Sequence, residues 1–218
     1  KRIAKDLKHL CEAHINLFGA PPPFKNYLFL GLAVGNGYGG LEHRASSSLV
    51  FCRDDLPKKG QTGISKGYQR FLSLCSHEYF HAWNMKRIKP KAFTPYRLDQ
   101  RAHTRLMWVF EGITSYYQDL MLLRSKLINP DEYLVRLGKL LTRVYRSPGR
   151  FTQSLSDASF DAWDKLYKPN ANSTNATISY YSKGALVALA LDLTVRKGSS
   201  STLDQIMQVF WQRFGKNE

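Results

Sequence analysis

The stretch His77-Glu78-Tyr79-Phe80-His81 constrains this chain more than any other. Read as a helix, it puts His77 and His81 on one face about a turn apart, because residues four apart stack along a helix. Two imidazoles so placed can hold one Zn²⁺, and Glu78 projects beside them, where it can take a proton from the attacking water. The flanks favour a helix: Tyr68, Leu72, Cys75, Tyr79 and Ala82 recur at spacings of three and four and form an apolar stripe. A buried helix that happens to carry two histidines and a glutamate would look the same. A third ligand has to decide.

Catalytic zinc sites take three protein ligands and keep a fourth position open. Downstream, Arg105 to Leu123 (RLMWVFEGITSYYQDLMLL) reads as a second apolar-periodic helix with Glu111 in its middle. Among Met107, Trp108, Phe110 and Tyr116 a carboxylate is costly unless it is paired or bound to a metal. Two readings stay open: Glu111 is the third ligand, or it reaches the surface or pairs with a nearby arginine such as Arg105.

Size and composition set the outer limits. The 218 residues are 43% hydrophobic and 13% aromatic, enough for one sizeable core or a two-lobed domain. No run approaches the ~18 apolar residues of a membrane span. Lys1 to Lys8 is charged and amphipathic, unlike a signal peptide. The chain starts within a helix and without Met, which reads as a piece excised from a longer protein. Cys11, Cys52 and Cys75 follow no metal-binding spacing and read as reduced thiols, which favours a cytoplasmic location. The formal charge of +15 could mark a nucleic-acid binder, but the basic residues are spread out and no recognition motif accompanies them. No nucleic-acid partner is expected.

Taken in order, Arg2 to Phe18 reads as an amphipathic helix with His14 as a core histidine, ended by Gly19 and Pro21-Pro22-Pro23. Tyr27 to Val34 fits a buried strand, Gly35-Asn36-Gly37 a turn, and Ser46 to Cys52 another strand. Together they predict a small antiparallel β unit within about residues 24–55. Between them stands Gly39-Gly40-Leu41-Glu42-His43. Glycines admit a ligand's backbone closely, and a carboxylate just past such a strand can pair with an amine. A Gly-Gly hairpin turn with an exposed Glu42 is the plainer alternative.

Asp54 to Ser65 reads as loop. Asn129-Pro130-Asp131-Glu132 opens a helix with the stripe Leu134, Leu137, Leu141 and Val144. A short helix with a packed Trp163 is expected over 156–167, a polar loop over 168–177 and a long helix over about 183–195. A last helix, capped by Ser201 or Thr202, turns Ile206, Val209, Phe210 and Phe214 inward.

HEYFHAWN at 77–84, WVFEGITSYY at 108–117 and GGLEH at 39–43 resemble the glycyl aminopeptidase family. That family is a thermolysin-like (gluzincin) branch of the metallopeptidases and a distant relative of aminopeptidase N. The resemblance runs over roughly residues 20–195, with residues 86–100 as an inserted loop. It implies that Glu111 completes the zinc site of His77 and His81, with Glu78 as general base. It implies that Glu42 binds the substrate's α-amino group and that Gly39 and Gly40 line the peptide.

Tyr181-Ser182-Lys183-Gly184 is similar to the Y-E-K-G motif of the aminopeptidase N relatives, with Ser182 in place of Glu. In those relatives the motif's Tyr is the oxyanion donor, a role that suits a neutral phenol, so the resemblance implies it for Tyr181, with Tyr180 as the fallback. Either tyrosine could instead be an aromatic packed at a helix end.

The fold expected is therefore α+β: a zincin-like catalytic domain spanning 1–218, with a small sheet and a mostly helical lobe. The resemblance also implies one Zn²⁺, peptide substrates with a free N-terminus and preference for N-terminal Gly or Ala. The parent would carry an N-terminal β domain and a C-terminal PDZ-like domain. Two other readings are a thermolysin-like endopeptidase without an amine anchor and a catalytically idle interaction module.

Overall fold

The chain begins as an amphipathic helix, α1 (Arg2–Phe18), which buries Leu10, His14, Leu17 and Phe18. It ends at Gly19, whose φ of 91° is one a side chain would resist. Three strands follow, β1 (Leu28–Val34), β2 (Tyr38–Glu42) and β3 (Ser46–Cys52), then helix α2 (Lys66–Phe80). A π-helical turn over Trp108–Gly112 leads into α3 (Ile113–Arg124). Helices α4 (Pro130–Tyr145), α5 (Gly149–Thr152), α6 (Leu155–Phe160), α7 (Ser173–Ala176), α8 (Tyr180–Gly198) and α9 (Leu203–Phe210) complete the order. The protein is thus α+β, mostly helical with one small sheet. The computed structural model describes residues 1–97 and 99–216. Leu98, within the expected inserted loop, lies outside the described residues. They form two compact units, one of Lys1–Ile88, Tyr117–Tyr133 and Ile206–Glu218, the other of Lys89–Tyr116 and Leu134–Gln205.

In the first unit the sheet is mixed, not antiparallel. Its order is β1-β3-β2, with β1 parallel to β3 and β2 antiparallel to it. The tight turn at His43–Ala45, closed by His43 N–H donating to Ser46 O at 2.8 Å, makes β2 and β3 the hairpin. Strand β3 buries Ser47, Leu49 and Phe51 and takes the middle, which leaves β1 on an edge. For the same reason β1 is not the buried strand its apolar run suggests. Its outward residues Leu28, Leu30 and Leu32 are 56%, 49% and 61% exposed.

Helix α2 forms as its stripe predicts, with Tyr68, Leu72, Cys75, Tyr79 and Ala82 all buried. Ser65 caps its start by accepting from Tyr68 N–H at 3.1 Å. Around it, Phe18 stacks on Trp83 and Phe80 on Tyr117. At its far end the buried Arg87 guanidinium donates to Ala82 O, Arg44 O and Pro23 O, satisfying a carbonyl the helix leaves open.

The second unit packs Val144, Ala158, Ala162, Ile178 and Tyr180 into one cluster, with Trp108 and Leu186 against it. Several local expectations shift here. Helix α8 starts three residues early, because Ser179 accepts from Ser182 N–H and caps it. Trp163 is half exposed rather than packed, its ring tilted against Tyr167. Of the α4 stripe Val144 is buried, while Leu134 and Leu141 face solvent among the described residues.

Through α9 and the turn that follows it the inward residues are Leu203, Met207 and Trp211, a four-residue spacing, while Val209 and Phe214 turn outward. A π-helical turn over Trp211–Gly215 adds to that rotation. The helix starts at Asn129 and Thr202 are reciprocal caps, as expected. Asn129 exchanges hydrogen bonds with Glu132, and Thr202 with Gln205.

Candidate active site

His77 and His81 sit on the last turn of α2 and its cap, ring centroids 4.7 Å apart. Both rings are fixed from behind. His81 Nδ1 lies 2.9 Å from Asn84 O, and His77 Nδ1 lies 2.7 Å from Gln118 Oε1. Each partner is an acceptor, so each Nδ1 is the donor of its pair; in a neutral ring that form carries its lone pair at Nε2. Two imidazoles on one helix face, each fastened at Nδ1, are donors of the kind a divalent cation takes, and in this respect the residues present fit a zinc ion.

Glu78, 4% exposed, lies under strand β2. The strand reaches it because Gly40 has no side chain. A Cβ there would stand 2.2 Å from Glu78 Oε1. At neighbouring Gly39 a Cβ would meet nothing within 4 Å. The same strand delivers Glu42, so that carboxylate oxygens of Glu42 and Glu78 and a ring nitrogen of His81 lie within 4.8 Å of one another. Glu42 already holds an ammonium: Lys86 Nζ is 3.0 Å from its Oε1. His43 turns away, its Nδ1 3.1 Å from Leu41 O, and shapes the turn.

The second unit carries Glu111, Tyr180 and Tyr181. Glu111 is 6% exposed, on the π-helical turn. Arg105, the partner weighed for it, instead binds Asp157 at 2.6 Å. The N-terminus of α8 crosses this turn at two glycines; a Cβ on Gly112 would lie 2.6 Å from Gly184 Cα. Tyr180 is wholly buried, whereas Tyr181 keeps partial exposure and pairs hydroxyls with Tyr167 at 2.9 Å. Burial first, then the Glu111 charge, pushes the Tyr181 phenol far above its ordinary value, so it stays a donor at any working pH.

Sequence reasoning did not single out Gln118, Lys86 or the Gly112–Gly184 crossing.

The sequence matches the family model described as M61 glycyl aminopeptidase over residues 70–187, more than half the chain. Eleven chains of known structure match it. One of them, an aminopeptidase N family protein from Idiomarina loihiensis, is 48% identical with a TM-score of 0.95. The match covers 99% of this chain and 37% of that one, so the chain spans little more than a third of that relative's length. A search among curated proteins gave no match. The chain belongs to the M61 glycyl aminopeptidase family. Among the described residues no helix is long and apolar enough to cross a membrane.

Proposed function

We propose that the chain is the catalytic part of a zinc-dependent aminopeptidase, with His77, His81 and Glu111 as the residues that hold the ion. The observation that carries this reading is the pair of imidazoles with ring centroids 4.7 Å apart, both fixed through Nδ1, beside the buried carboxylate of Glu78. Family membership supports it, as does the burial of Glu111, a carboxylate that a cation would stabilise. When bound, the ion supplies the Lewis acidity for peptide hydrolysis.

The chain's own residues then divide the work. Glu78 takes a proton from the attacking water as its oxygen bonds to the scissile carbonyl carbon. It hands that proton to the nitrogen as the C–N bond breaks. The Tyr181 phenol donates to the carbonyl oxygen as negative charge builds there, and buried Tyr180 packs behind it. Glu42 receives the substrate's α-ammonium in the way it now holds the side-chain ammonium of Lys86, and so sets the first peptide bond over the site. Gly39, with open space above it, leaves room for the peptide backbone. Preference for N-terminal Gly or Ala is the family's and is part of the proposal. Three free cysteines fit a reducing compartment, and we place the protein in the cytoplasm.

The occupied Glu42 gives the endopeptidase reading its one point of support, since Lys86 already neutralises the anchor. Elemental analysis and rates on free and N-acetylated alanyl peptides separate the readings. Glu78→Gln should keep the bound zinc and lose about 10²–10⁴-fold in turnover. Acetylated peptides should be poor substrates for the unaltered protein. Equal cleavage of both peptides would leave a peptidase but remove the aminopeptidase, and activity retained in Glu78→Gln would remove Glu78 as the base.

A further inference from the structure

The two candidate histidine ligands are held differently. His81 leans on a backbone carbonyl, Asn84 O, which no substitution can take away. His77 leans on a side chain, the amide oxygen of Gln118 on α3, at 2.7 Å. The next residue of α3, Asp119, accepts from Ser73 Oγ at 2.7 Å, one turn before His77 on α2. Consecutive residues of α3 thus grip consecutive turns of α2, which fixes the amide against the ring. An imidazole can place its proton on either nitrogen, and only the Nδ1–H form turns a lone pair at Nε2 outward.

We propose that Gln118 is a positioning residue: its amide oxygen selects the Nδ1–H form of His77 and sets the ring's direction, so that Nε2 is ready for the metal. The inference rests on the zinc reading above. The choice of an amide has its own consequence. A carboxylate in the same place would draw the Nδ1 proton and make the ring a stronger base, whereas an uncharged acceptor orients the ring and adds no negative charge. Gln118 therefore gives up some metal affinity and leaves the ion a stronger Lewis acid.

The test uses the full chain with Gln118→Met, which keeps length but offers no oxygen acceptor, and Gln118→Glu, which keeps an acceptor. Zinc affinity is read by competition with a chromogenic chelator. The tautomer of His77 is read from ring ¹⁵N shifts in the metal-free protein. We expect Nδ1–H at His77 in the unsubstituted chain and in Gln118→Glu. Gln118→Met should lose that preference and bind zinc about 10–100-fold more weakly. Gln118→Glu should bind at least as tightly as the unsubstituted chain. An Nε2–H ring at His77 in the unsubstituted chain would overturn the inference even if the methionine variant failed to fold. Zinc uptake that Gln118→Met leaves unchanged would overturn this inference alone. No uptake by the unsubstituted chain would overturn the zinc reading and this inference with it.

Discussion

A glycine can matter through what lies opposite it. Gly40 reads in the sequence as a residue that lets a peptide come close, and in the fold its bare Cα also faces Glu78. We predict that Gly40→Ala displaces the Glu78 carboxylate. Turnover should fall by about 10²-fold or more while zinc binding is kept, measured by kcat and metal content on the same preparation. An alanine variant with full turnover would show that the carboxylate has room to move. His77, Glu78 and His81 were legible because a helix converts a spacing of four into a shared face. The true neighbour of Gly40 was not, since it depends on a strand crossing a helix 38 residues further on. Gln118 was hidden likewise, because nothing in one helix's periodicity names the ring that its amide meets on another.

Among elements, the junction of α8 with the π-helical turn shows how glycine can reverse its usual sign. In an exposed helix interior, alanine is preferred to glycine by roughly 0.5–1 kcal/mol. Gly138 on α4 has nothing within 4 Å of a built Cβ, so Gly138→Ala should stabilise by that amount. Gly184→Ala should instead destabilise by about 1–3 kcal/mol, because its Cβ would stand 2.9 Å from Gly112 Cα and 3.1 Å from Trp108 O. Urea unfolding of the two variants checks the opposite signs; stabilisation by both would mean that the helices separate without cost. The helices themselves were readable from periodicity and caps, as at Asn129 and Thr202. The rotation of α9 and the π-turn at Glu111 were not, because an extra residue in a turn leaves no mark on local composition. The sheet's pairing also escaped, since three apolar strands in sequence do not reveal which one takes the centre.

For the molecule as a whole, acid stability rests in part on one histidine. His14 is wholly buried, 2.9 Å from Ser76 Oγ, and burial followed by the Arg124 charge pushes its pKa down to about 3. The unfolded chain takes up that proton near pH ~6.5. Between these values the unfolded state binds more protons than the folded one, so stability is full above ~6.5 and falls as pH drops toward 3. The slope is at most about 1.4 kcal/mol per pH unit. In metal-free protein, His14→Gln should flatten the fall of the urea midpoint between pH 6.5 and 4.5. An unchanged slope would mean that His14 titrates normally in the fold.

The hydrogen bond from Gln208 Nε2 to Leu17 O, 2.7 Å, joins stretches 191 residues apart within the first unit. During synthesis, the end of α1 therefore waits for the 191 residues that separate it from Gln208 before this contact can form. A polypeptide stalled ahead of α9 could already stack Phe18 on Trp83, so the aromatic packing of α1 on α2 precedes the clasp that Gln208 adds.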